Sequence, residues 1–172
     1  MLNFNNRRKK YGNVHQSYYT PVNPEKWDSS KILFLSNWER LTYIKLDMNP
    51  NVIKVIANSL VIPYICSTDN RQHKYFMDVF FTAKHGDETK SYLLEIKPEK
   101  QLFPPRQPKK KTAKSVRNFQ KECLAYAKNI SKWKAAQEMA VRNGYIFQIV
   151  TEGGFYSFTG GVPVKVSKLS FF

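Results

Sequence analysis

Apolar residues along this chain follow two periods, and the change from one to the other outlines the elements. Residues 73–81 and 91–97 are dense in aromatic and β-branched side chains, and His85-Gly86-Asp87 separates them, the pattern of a β-hairpin. From Thr112 to Arg142 the period lengthens: Val116, Phe119, Cys123, Tyr126 and Ala127, then Ile130, Trp133, Ala136 and Ala140, recur at helical spacing before an Asn143-Gly144 C-cap. Residues 145–150 are almost continuously apolar, which predicts a central strand covered on both faces. Strand, helix and strand in that order predict a right-handed βαβ unit.

Upstream, Ser36-Asn37-Trp38-Glu39 carries the Ser-x-x-Glu signature of a helix start, continues through Leu41 and Ile44, and stops at Asn49-Pro50. Residues 52–56 and 60–65 read as short strands, the second placed at an edge or a strand start by Pro63. Residues 98–111 hold four prolines and the run Lys109-Lys110-Lys111, which predicts an exposed loop. Gly153-Gly154 and Gly160-Gly161 punctuate the end of the chain, whose last strand is expected at 162–166. Residues 1–26 are polar, basic and interrupted by Pro21 and Pro24, an arm expected to pack only in its later part; residues 27–172 are expected to form a single domain.

Composition adds a partner. Lys and Arg total 28 against 13 Asp and Glu, a formal charge of +15, so the field favours polyanions and makes phosphate-backbone binding salt-dependent. Twelve of the cations lie between Lys97 and Lys134, with Glu99 and Glu122 as the acids there. Lys109, Lys110, Lys111, Lys114 and Arg117 follow the hairpin directly and are the expected DNA contacts. Arg7-Arg8-Lys9-Lys10 forms a second basic cluster. The basic residues trace no amphipathic membrane anchor, no apolar run reaches the roughly 18 residues of a transmembrane helix, and the first residues lack a secretory apolar stretch. Cys66 and Cys123 lack zinc or disulfide spacing, and His15, His73 and His85 are scattered.

The hairpin carries the candidate chemistry. Glu95 and Lys97 are two apart on a strand and project to one side, with Ile96 turned to the other. Asp78 on the neighbouring strand is expected to face Glu95. Two hard carboxylate donors and an ammonium at one spot suit Mg²⁺, which takes few protein oxygens and keeps waters. Lys97 is then placed to orient an attacking water or to neutralise charge on a transferring phosphoryl group. On spacing alone, a solvated surface hairpin explains the same residues, and Glu39 is explained by its helix start.

The order of a helix with Glu39, a strand with Asp78, a strand with Glu95-Ile96-Lys97, a helix and a strand resembles the PD-(D/E)xK, or restriction-endonuclease-like, nucleases across residues 38–150. That resemblance implies an α/β fold with a mixed central β-sheet flanked by α-helices. It implies catalytic roles for Glu39, Asp78, Glu95 and Lys97, with Asp78, Glu95 and Glu39 holding Mg²⁺, or Mn²⁺ in its place. The wording around Ser36, Asp47, Asn49-Pro50 and Asp78 is similar to the endonuclease subunits of heteromeric transposases, and the chain as a whole to head-completion nucleases of large tailed phages. This likeness implies hydrolysis of double-stranded DNA, at packaged DNA ends, in the host cytoplasm during assembly or in the virion. It implies phage portal or neck proteins as partners, and neither a membrane nor a small-molecule substrate. Two departures stand out: Met77 replaces the proline before the aspartate, and Gln120 and Tyr126 do not form the Gln-x-x-x-Tyr pair of the recombination branch. A non-catalytic DNA-binding virion protein and a transposon-end or junction endonuclease remain as alternative readings.

Overall fold

A computed structural model describes residues 16–167. The basic cluster at residues 7–10 and His15 lie outside the described residues. Two short strands, β1 (Ser17–Tyr19) and β2 (Ile32–Phe34), pair as an antiparallel ribbon and lead into helix α1 (Asn37–Met48). Strands β3 (Val52–Ala57), β4 (Val61–Cys66), β5 (Arg71–Phe76), β6 (Val79–His85) and β7 (Glu88–Ile96) follow. Helix α2 (Ala113–Asn143) then crosses to β8 (Ile146–Thr151), and β9 (Gly154–Thr159) and β10 (Val162–Val166) end the described chain.

Six strands form the central sheet in the order β10-β9-β8-β7-β6-β3. β7 and β8 run parallel, as the βαβ pattern requires, and the other neighbours are antiparallel. The sheet is therefore mixed, with one helix against each face. On one face Tyr43 and Leu46 of α1 pack with Val55, Phe81, Tyr92 and Leu94; on the other, Trp133, Ala136 and Ala140 of α2 pack with Leu93, Phe147 and Ile149. The alternation of Tyr92, Leu93 and Leu94 between the two clusters puts Glu95 on the α2 side.

The strand expected over 73–81 is two strands in different sheets. β3 pairs with β6 in the central sheet, whereas β4 pairs with β5 in a separate ribbon packed on α2. Together they form one long hairpin whose two arms change sheet at the same level. The bend is held where the Asn58 N–H donates to the Asp78 carbonyl at 3.1 Å and the Met77 N–H donates to the Leu60 carbonyl at 2.9 Å. Asn58 adopts a left-handed backbone (φ 58°), and its side-chain amide donates to the Leu33 carbonyl and Tyr43 hydroxyl. Asp78 thus sits at the elbow, not inside a strand.

Both helices begin and end as their sequences require. Ser36 caps α1 by accepting the Glu39 N–H at 3.1 Å, and Thr112 caps α2 in a reciprocal box with Ser115. Gly144, left-handed at φ 68°, closes α2. The buried stripe of α1 runs through Glu39, Thr42, Tyr43, Leu46 and Asp47, whereas the expected Leu41 faces solvent. Polar residues occupy the core side because each finds hydrogen-bond partners there. α2 is 31 residues long, and its buried positions, Asn129, Trp133, Ala136 and Ala140, all lie in its second half.

Candidate active site

The elbow and the parallel strand bring the three hairpin residues together. Val79 is paired with Leu94, so Asp78 reaches the end of β7, where its Oδ2 accepts the Ile96 N–H at 2.8 Å. Lys97 Nζ lies 2.7 Å from Glu95 Oε1 and 4.0 Å from Asp78 Oδ2. The Lys97 N–H donates to the Val150 carbonyl at 3.0 Å, which fixes the end of β7 against β8. The Glu95 side chain is 2% exposed, with Asp78 at 18% and Lys97 at 24%. Ile96 turns to the opposite core, as alternation requires.

This much unshared carboxylate charge, withdrawn from water, shifts the local titrations. Burial, followed by the repulsion of Glu95, pushes the Asp78 carboxyl up to about 8 against the opposing pull of Lys97 and the Ile96 N–H. Burial alone would depress Lys97, but the fields of Glu95 and Asp78 outweigh it and hold the ammonium well above its ordinary value. A buried and a half-buried carboxylate, side by side with one ammonium, form a hard-oxygen donor set whose full ionisation a divalent cation would favour.

Glu39 lies on the first turn of α1, within electrostatic reach of Lys97 and Glu95. Its oxygens are already engaged: Oε2 accepts the Leu35 N–H at 2.8 Å, and Oε1 accepts the Ser36 hydroxyl at 3.1 Å. Burial raises its pKa even so. Lys109, Lys110, Lys111, Lys114 and Arg117 are all exposed, on the proline-rich segment and the first turns of α2. Leu102, wholly buried, anchors that segment near its start.

Two residues of the site were not singled out from the sequence. Tyr75 on β5 donates its hydroxyl to Glu95 Oε2 at 2.5 Å, and burial lifts its pKa far above the ordinary phenol value. Lys132 on α2 lies with Nζ 5.4 Å over the centroid of the Tyr75 ring. It is half-buried and its pKa is depressed, chiefly by burial and against the attraction of Glu95 and Asp78. Further along the same helix, Lys134 is exposed and Gln137 is half-buried. A separate group, Cys66, Asp69 and His73, gathers at the β4–β5 turn with ligand atoms within 4.8 Å of one another. The three lie within eight consecutive residues at the turn, and Asp69 and His73 already pair at 2.9 Å.

The chain has recognisable relatives. The TnsA-like endonuclease N-terminal family matches residues 49–152, the stretch that contains the elbow, β7 and the βαβ unit. The head completion nuclease of Enterobacteria phage T4 is 37% identical over 143 residues, covering 82% of this chain and 93% of that protein. No solved structure matches the chain. With its mixed sheet, flanking helices and nuclease relatives, the chain belongs to the TnsA-like endonuclease family, nucleases of restriction-endonuclease-like fold.

Proposed function

We propose that this nuclease hydrolyses phosphodiester bonds of double-stranded DNA in a divalent-metal-dependent reaction, acting at packaged DNA ends during phage head completion. The observation that carries the reading is the meeting of Asp78, Glu95 and Lys97 at the end of β7. Asp78 and Glu95 would hold Mg²⁺, or Mn²⁺ in its place, with Glu39 completing or tuning the set. The bound cation supplies Lewis acidity at the phosphoryl oxygens and a more acidic water. Lys97, kept protonated by its carboxylate neighbours, orients the water and neutralises charge on the phosphoryl group. Tyr75 fixes Glu95 through its hydroxyl. Lys109, Lys110, Lys111, Lys114 and Arg117 grip the backbone without reading sequence.

The head-completion assignment follows the name of the T4 relative, and with it the portal or neck proteins as partners and the host cytoplasm or virion as the place of action. No helix among the described residues is long and apolar enough to cross a membrane. In this reading residues 1–26 are a basic arm and residues 27–172 the nuclease domain.

Incubating the protein with linear and with circular duplex DNA, each in Mg²⁺ and in EDTA, tests the reading. Cleavage in Mg²⁺ alone is expected, with Lys97→Ala inactive, and attack confined to linear DNA would mark end trimming. Salt-dependent binding without cleavage in any condition overturns the enzyme in favour of a structural DNA-binding protein. Lys132 has no carboxylate ion-pair partner among the described residues, so in this arrangement its ammonium meets substrate phosphate. Lys132→Gln should lower turnover by roughly 10²-fold with little change in melting temperature, and Lys132→Arg should restore part of it. Unaltered turnover in Lys132→Gln would remove Lys132 from the site.

A further inference from the structure

The first turn of α1 exposes a large aromatic beside the buried Glu39: the Trp38 side chain is 51% exposed. It stands in the wall of an open groove of about 500 Å³ between α1, the β8–β9 turn and β10. Trp38 and Leu41 give the groove an apolar side, Lys45 adds a cation, and Lys165 borders it with its Nζ 6.0 Å over the centroid of the Tyr156 ring. Glu152 is the acid of the lining, and its carboxylate is turned to accept the Glu99 N–H at 2.9 Å. Trp38, Thr42, Val150 and Thr151 also wall a narrow crevice that ends at Ile96 and Lys97. The groove and the crevice share Trp38, Thr42, Val150 and Thr151, so the groove adjoins the candidate active site at Lys97.

We propose that this groove is a subsite for an unpaired nucleotide at a DNA end, its base stacked on Trp38 and its flanking phosphates against Lys45 and Lys165. The inference rests on the nuclease reading of the Asp78, Glu95 and Lys97 site. The groove holds one nucleotide and is far too small for a duplex. A base offers its face to an indole only after it has left the stack of its neighbours, whereas in a duplex both faces are covered. Stacking on an aromatic with cations along the backbone is sequence-tolerant, which suits ends of any sequence. The neighbouring position of Lys97 and the basic charge of the chain select nucleic acid over a protein segment as the occupant, because the strand carrying the scissile phosphate must leave the site along an adjoining surface.

Trp38 is also its own reporter. The chain has three tryptophans, and Trp27 and Trp133 are buried at 8% and 0% exposure. Metal-free protein in EDTA is titrated with a short oligothymidylate, a blunt hairpin duplex, the same hairpin with a single-stranded overhang, and a polyglutamate peptide. Oligothymidylate and the overhanging hairpin should quench the emission, and the blunt hairpin should not. By anisotropy of labelled DNA, Trp38→Ala should bind the overhanging hairpin roughly tenfold more weakly and the blunt one unchanged, with Trp38→Phe retaining most of the affinity. Lys165→Gln should weaken overhang binding in the same direction, which keeps the test independent of any folding defect in Trp38→Ala. Equal quenching by blunt and overhanging DNA, or Trp38→Ala and Lys165→Gln indistinguishable from wild type, overturns the subsite, as does quenching by polyglutamate alone. Cleavage assayed separately in Mg²⁺ distinguishes the two failures: active wild type with no Trp38 response sinks only the subsite, and Trp38 quenching without cleavage sinks only the nuclease reading.

Discussion

Replacing Asp78 with asparagine should lower DNA cleavage by about 10³-fold while leaving DNA affinity nearly unchanged. Glu95→Gln should do the same to cleavage. The exposed lysines proposed to grip the backbone lie on the proline-rich segment and the first turns of α2 and not on the elbow, so binding and chemistry should separate. The Asp78→Asn variant should also be more stable than wild type in EDTA, and increasingly so as pH rises. In the folded state burial and Glu95 hold the Asp78 proton up to about 8, whereas an unfolded chain releases it near 4. Over that window the unfolded state has lost a proton that the folded state keeps, so wild-type stability falls as pH increases and the loss is complete above 8. The substituted amide has no proton to release, and its oxygen can still accept the Ile96 N–H. Melting curves at pH 5 and pH 9 in EDTA, beside a cleavage assay in Mg²⁺, check both halves. Retained cleavage would exclude Asp78 from the chemistry, and a variant less stable than wild type at pH 9 would make the carboxylate a structural one.

Such a trade of stability for a charged, crowded site is expected where function sets the residue choice. It is also why part of the site is legible in the sequence. Glu95, Ile96 and Lys97 follow from strand alternation, which depends only on local geometry, and the long helix with its Thr112 and Gly144 caps follows from periodicity and end signals. The elbow does not. Tyr75, Phe76, Met77, Asp78 and Val79 contain no breaker, and the change of sheet is imposed from across the hairpin by left-handed Asn58 and the Leu60 carbonyl. The same limit hides Lys132. It is one lysine among many on α2, and only its register over Tyr75 separates it from Lys134 two positions on, which faces solvent. Strand β9, with Phe155, Tyr156 and Phe158 buried, escapes a reading by pattern because glycine pairs on both sides make the segment look like punctuation.

Asp47 shows the same dependence on distant partners and carries the largest expected stability effect. It is 0% exposed at the core side of α1. Its Oδ2 accepts the Tyr19 hydroxyl at 2.5 Å and the Val22 N–H at 2.7 Å, and its Oδ1 accepts the Asn23 N–H and the Trp27 indole N–H, each at 3.1 Å. One carboxylate therefore pins the segment from Tyr19 to Trp27 onto the helix that carries Glu39 and Trp38. Asp47→Ala leaves the indole N–H buried without an acceptor and releases the others to compete for water. The expected cost is about 3 kcal/mol, since a stranded buried donor costs roughly 1–3 kcal/mol and each lost charged bond adds to it. For a chain of this size that corresponds to a fall of about 10 °C in melting temperature. Burial alone would raise the Asp47 pKa, but the bonds from Tyr19, Val22, Trp27 and Asn23 outweigh it and hold the carboxyl below its ordinary range. The stabilisation is accordingly full above about pH 4 and is lost as pH falls through the lower folded value, so the gap between wild type and Asp47→Ala should be constant from about pH 5 to 8 and close in stronger acid. Melting temperature against pH measures this directly. A gap that stayed constant into acid, or no gap at all, would mean that the packing of Tyr19, Trp27 and Tyr43, rings 5.7–6.1 Å apart, holds the segment without the carboxylate.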